Sequence, residues 1–212
     1  MGLIRIVAAS CVLLVSAPAF AQPPAPQASA SLAGGERGGG EWIEYVSRGE
    51  HFMINLPGQP TVRETTYEPQ RGPTLPARVF TVDDGPRHYS VTVVDLAKVV
   101  QPSDVQGSVA WEAWNFRKKG GEITYDAYAQ VDRIEGHQLH ITNRDKSVSL
   151  IGIYVHARRL FILEATGPPG SPGAVHFQQS LIILDDEGKR IRYEQDADGN
   201  RTSCVSNLDG IC

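Results

Sequence analysis

Val148-Ser-Leu-Ile-Gly-Ile-Tyr-Val-His156, then Ala157-Arg158, then Arg159-Leu-Phe-Ile-Leu-Glu-Ala-Thr166, is the stretch that decides the fold. Both runs are apolar at consecutive positions, not at alternate ones. A strand of that kind is covered on both faces, so the pair is predicted to be a hairpin at the centre of a sheet, turning near Ala157-Arg158. Upstream, Tyr125 to Ile134 and His137 to Thr142 read as two more strands, joined at Glu135-Gly136. Before them the period becomes helical. From about Asp104 to Lys119, Val109, Ala110, Ala113, Trp114 and Arg117 recur at helix spacing, and Trp111 sits one turn before Trp114. Lys118-Lys119 suit the negative end of a helix and Gly120-Gly121 terminate it. The two indoles are expected to lie on the face that packs against the sheet, the alternative being a tryptophan platform for a ligand.

Further upstream the chain is again strand-like. Trp42 to Ser47, Phe52 to Leu56 and a polar edge from Val62 to Tyr67 precede a loop from Pro69 to Pro76. Ala77 to Val82 and His88 to Leu96 form a hairpin around Asp83-Asp84-Gly85-Pro86. In its second arm, Tyr89, Val91 and Val93 face one way and Val94 and Leu96 the other. Downstream, Ser171 and Pro172 open a second helix with Ala174, Phe177 and Leu181 on one stripe, ending near Leu184. The prediction is an α+β domain over residues 41–185, with a largely antiparallel sheet and two flanking helices.

The ends read differently. Residues 1–21 have a basic start at Arg5, a short apolar run and Ala19-Phe20-Ala21, the pattern of a cleaved secretory signal. That run is too short to span a bilayer, so no membrane span is expected after cleavage, and the location is periplasmic or secreted. Residues 22–40 hold three Pro, five Gly and four Ala with no apolar period, a flexible linker. Residues 186–212 form a polar tail, expected to turn at Asp198-Gly199. Its Cys204 and Cys212, the two cysteines left after signal removal, read as a disulfide in an exported chain.

A net charge of -4 over 212 residues argues against nucleic acid as a partner. No phosphate-binding loop, nucleophile elbow or zinc-protease motif occurs. No cofactor, metal or catalytic residue is assigned. Asp196, Asp198 and Asn200 start like a calcium loop, but Arg201 stands where that loop needs Gly and Asn207 where it needs Glu. His137 and His140, three apart on a strand, face opposite sides and cannot share a metal. Glu164 lies on the same face as Leu160 and Ile162, where burial would raise its pKa. The expectation is that the strand frays or exits the core near Thr166. Arg158-Arg159 read as a hairpin tip.

Phe52-Met53-Ile54-Asn55-Leu56-Pro57 after a short first strand resembles the Phe-x-Ile/Val-x-Phe/Leu-Pro opening of PsbP-like domains. So do the hairpin arm Arg159-Leu160-Phe161-Ile162-Leu163 and a last helix with Phe177 and Ser180. That superfamily includes the extrinsic photosystem II subunit, a Ran-binding import factor and bacterial secreted proteins. The resemblance covers about residues 41–185 and implies an α/β/α sandwich used for binding and assembly. The metal ligands of some plant members have no counterpart motif here. Three functions stay open: a non-enzymatic binding or assembly module of the cell envelope, meeting an envelope protein or a small ligand; a hydrolase with Glu164 or His137 as base; and an envelope structural protein tethered by its N-terminus.

Overall fold

The structure, a computed structural model, describes residues 41–99, 102–195, 197–198 and 201–205. Five strands come first: β1 (Ile43–Ser47), β2 (Phe52–Leu56), β3 (Thr61–Tyr67), β4 (Leu75–Asp84) and β5 (Arg87–Asp95). Helix α1 (Pro102–Lys118) follows, then β6 (Glu122–Val131), β7 (Ile134–Thr142), β8 (Val148–His156) and β9 (Arg159–Gly167). Helix α2 (Pro172–Gln179), β10 (Ile182–Ile183), β11 (Ile191–Gln195) and β12 (Arg201–Val205) complete the order. The fold is α+β, built mostly from antiparallel sheets with two helices.

The large sheet runs β3-β4-β5-β9-β8-β7-β6, and all its pairs are antiparallel. The β8–β9 hairpin occupies its centre, as the continuous apolar runs require. Its two turn residues, Ala157 and Arg158, both take positive φ (44° and 61°), the handedness a two-residue hairpin needs. One face of the sheet carries α1 over Val94, Leu96, Leu139, Ile151, Ile153 and Ile162. The other carries α2 and a small sheet, β1-β2-β10, over Tyr89, Val91, Phe161, Leu163 and Ala165. Alternation along β5 therefore divides Tyr89, Val91 and Val93 from Val94 and Leu96 as expected. Each large side chain sealed this way contributes about 1.5–3 kcal/mol.

Three local expectations are corrected. The β6–β7 turn is Asp132-Arg133 (φ 49° and 63°), not Glu135-Gly136. Asp tolerates the left-handed region, and Gly136 is needed inside β7, where the Tyr154 ring passes. Helix α2 stops at Gln179, because Ile182-Ile183 pair with Met53 and Phe52 instead of adding a helical turn. Helix α1 is rotated from the expected face: Ala110 and Trp114 are exposed, while Ser108, Glu112, Ala113 and Phe116 are buried. Val105, Val109, Ala113 and Phe116 also satisfy the helical period, and this second stripe is the one that meets the sheet.

The chain beyond α2 is fastened to the large sheet. Arg190 donates two hydrogen bonds to the nearly buried Asp132 carboxylate (2.8 and 2.7 Å), and Arg192 lies 3.5 Å from it. Ile191 and Tyr193 pack on the core, and Tyr193 Oη is 2.8 Å from His156 Nε2. β11 and β12 form an antiparallel hairpin. The backbone of Cys204 pairs with Arg192, but its side chain and Cys212 lie outside the described residues, so the expected disulfide does too. The same holds for Asp196 and Asn200 of the calcium-like run.

Candidate ligand-binding site

Rotation of α1 puts its two indoles on the outside. Trp111 and Trp114 stack at 4.8 Å between ring centroids, with 26° between planes. Lys118, one turn beyond Trp114, sets its ammonium 3.6 Å from that ring centroid and 5.7 Å from the ring of Trp111. Trp111 Nε1 donates to the carbonyl of Glu68 (3.3 Å), which ties the indole to the loop before β4. Trp114 keeps 43% of its surface exposed. An aromatic pair fixed by a stack, a cation and a hydrogen bond is ordered in advance, so little rotamer freedom is left to lose on binding.

Trp111 forms one wall of a cleft of about 280 Å³. Gln70 and Arg71 line it from the loop between β3 and β4, Leu96 and Val99 from the segment after β5, and Asp104 and Gly107 from α1. Gly107 is helical, and a Cβ built there would meet nothing within 4 Å. The Leu96–Val99 wall is held in place. The amide of Leu96 donates to the Arg158 carbonyl (2.8 Å), the Arg158 guanidinium donates to the Val99 carbonyl, and Asp95 accepts from the Ala97 amide (2.8 Å). Arg158, read from sequence as a hairpin tip, thus braces the cleft. Under the helix, Glu112 is buried and accepts from Asn115 (3.2 Å). Burial, and then the charge of Glu112, push the Tyr67 phenol well above its ordinary value.

A second cluster lies where α1 ends. Arg117 donates two bonds of 2.7 Å to Asp126 on β6, and His137 Nε2 is 2.6 Å from Asp126 Oδ1 and 3.2 Å from Arg117. The Arg117 guanidinium, with His137 adding to it, holds the Asp126 carboxyl down at about 2. His140 turns to the other face of the sheet and meets Gln178 of α2 (3.2 Å), so the two histidines are indeed apart. A carboxylate can orient a histidine for proton transfer. Here it is committed to an arginine, and His137 does not line the Trp111 cleft. Nor does Glu164, whose carboxylate is 31% exposed and 3.9 Å from Lys119 Nζ. The strand does not fray: β9 continues to Gly167 and leaves Glu164 partly in solvent.

A third cluster closes a smaller cleft of about 170 Å³ lined by His51, His156, Arg159 and Asp186. Burial, helped by the charges of Arg159 and His51, lowers the His156 pKa. Among the described residues no group of three or more His, Cys, Asp or Glu is placed to hold a metal ion, and no helix is long and apolar enough to cross a membrane.

Compared with known proteins, the chain matches no family model, and none of the curated proteins matches it. The site therefore stands on its own geometry. Sequence singled out Trp111 and Trp114 but turned them inward. The signal that places them outside was present: two indoles three apart, with a lysine four residues after the second, can satisfy one another without a core. Gln70 and Arg71 gave no signal, because they reach the Trp111 cleft only through the fold, and Asp104, two turns before Trp111 on α1, reads as an ordinary first-turn acid.

Proposed function

We propose that this chain is an exported, non-enzymatic binding module of the bacterial cell envelope, and that it takes its ligand in the Trp111 cleft. The observation that carries this is the Trp111–Trp114 stack, fixed at the surface beside a cleft with polar and apolar walls. Clefts of mixed lining with a few convergent polar groups are where small ligands bind. The resemblance of residues 41–185 to PsbP-like domains supports binding over catalysis. The signal-like pattern of residues 1–21 supports export. A hydrolase using Glu164 or His137 has less support, since Glu164 is paired with Lys119 and the Asp126 beside His137 is held by two bonds from Arg117.

Oxidative footprinting of the indoles tests it. The protein is treated with a tryptophan-selective oxidant, with and without fractionated envelope components, and Trp42, Trp111 and Trp114 are followed by mass spectrometry. Protection of Trp111 and Trp114, with Trp42 unchanged, is the expected result. Equal oxidation of both indoles with every fraction would overturn the reading. A mature N-terminus at Gln22, read in the same spectra, checks export.

A further inference from the structure

The chemistry of the cleft selects a class of ligand, given that the cleft is the binding site. Its two charged walls are of opposite sign, Arg71 and Asp104. The attraction of the indole pair for a cation is already met inside the chain by Lys118. A cationic ligand would face Arg71. An anionic one would face Asp104. A neutral ligand avoids both conflicts.

The walls also differ in polarity. Trp111, Leu96 and Val99 are apolar, whereas Gln70, Arg71 and Asp104 offer an amide, a donor fork and an acceptor. The matching ligand has an apolar face and a rim of groups that both donate and accept. A pyranose ring has this form, with C–H groups across its face and hydroxyls around its edge. The cleft lies at the small end of ligand sites, which suits one ring at a time. We infer that the Trp111 cleft binds one residue of a neutral oligosaccharide, the sugar face against Trp111 and its hydroxyls toward Arg71 and Asp104.

The test is titration of the full secreted chain with three neutral tetrasaccharides: β-1,4-linked N-acetylglucosamine, β-1,4-linked glucose and α-1,4-linked glucose. Tryptophan fluorescence and calorimetry are the readouts, with a proline-rich peptide as comparator. Saturable binding of at least one sugar is expected. Trp111→Ala weakens it by about tenfold or more, as for an aromatic anchor. Gly107→Leu does the same by filling the cleft from a position that contacts nothing, so the result does not depend on how well the Trp111 variant folds. Binding stays level as salt rises, because the ligand carries no charge to screen. If no sugar binds and the peptide binds and protects Trp111, the saccharide inference is overturned and the cleft stands. If neither binds nor protects, both fall. Sugar binding that survives both substitutions also overturns the inference.

Discussion

The ring of Tyr154 lies where a side chain of Gly136 would begin. The two residues face each other across β7 and β8, and a Cβ built on Gly136 overlaps ring carbon Cδ1 and the Ile153 carbonyl and stands 2.7 Å from Cε1. Tyr154 is 2% exposed, and its hydroxyl accepts from Gln138 (2.9 Å), so it has nowhere to go. Gly136→Ala is expected to destabilise the fold by about 1–3 kcal/mol, the range for an overpacked core. Urea unfolding measures it. A variant as stable as the parent would show that the sheet yields at this point.

The Arg117–Asp126 pair gives an acid-dependent contribution. The folded carboxyl sits at about 2, below the 3.8 of a free aspartate. Its contribution is therefore complete above pH 4 and is lost as pH falls toward 2. Both side chains are about one-third exposed (33% and 30%), and water screens them. About 1 kcal/mol is the expected size, well under the unscreened value. Unfolding midpoints of the parent and of Asp126→Asn should converge between pH 4 and 2. A constant gap down to pH 2 would assign the effect to packing.

His156 gives a pH dependence in a higher window. Its folded pKa is lowered from 6.5, so the unfolded chain binds a proton that the folded chain resists. Stability from this group is present above pH 6.5 and declines as pH falls through the folded value. His156→Gln should flatten that limb of the stability profile. An unchanged slope would mean the imidazole is charged in the fold.

Asp132 holds the segment after α2. Its side chain is 7% exposed, and its φ of 49° is one that Asn also accepts. Asp132→Asn should keep the turn but lose the charge that holds Arg190 and Arg192. Faster hydrogen exchange over Ile191–Gln195 is expected, corresponding to about 1–2 kcal/mol of local stability. Unchanged exchange there would show that Ile191 and Tyr193 alone keep β11 in place.

The centre of the fold was legible because Leu150–Val155 and Leu160–Leu163 are apolar without a break, and only a doubly covered strand tolerates that. The β5 faces followed from strict alternation. The misread places share one cause: a residue type with two uses. Gly136 serves a close approach, although a glycine there equally suits a turn. Ile182-Ile183 could extend a helix stripe or form a strand, and pairing with β2 decides it. In α1, two stripes fit the same period, and only the sheet beneath chooses between them. The cleft was legible on one side alone. Trp111, Asp104 and Gly107 lie on one helix, but the other walls of the cleft come from residues 70–71 and from Leu96 and Val99, brought there by long-range pairing.

The three-stranded sheet sets an order of events. β2 is paired on one edge with β1 and on the other with Ile182-Ile183, so one of the earliest strands is flanked by one of the latest. A chain delivered N-terminus first, by the ribosome or through a translocation pore, carries Phe52 and Ile54 unsealed until residue 183 has emerged. Assembly of that layer is obliged to wait for nearly the whole domain, which favours slow folding after release over piecemeal folding on the way out.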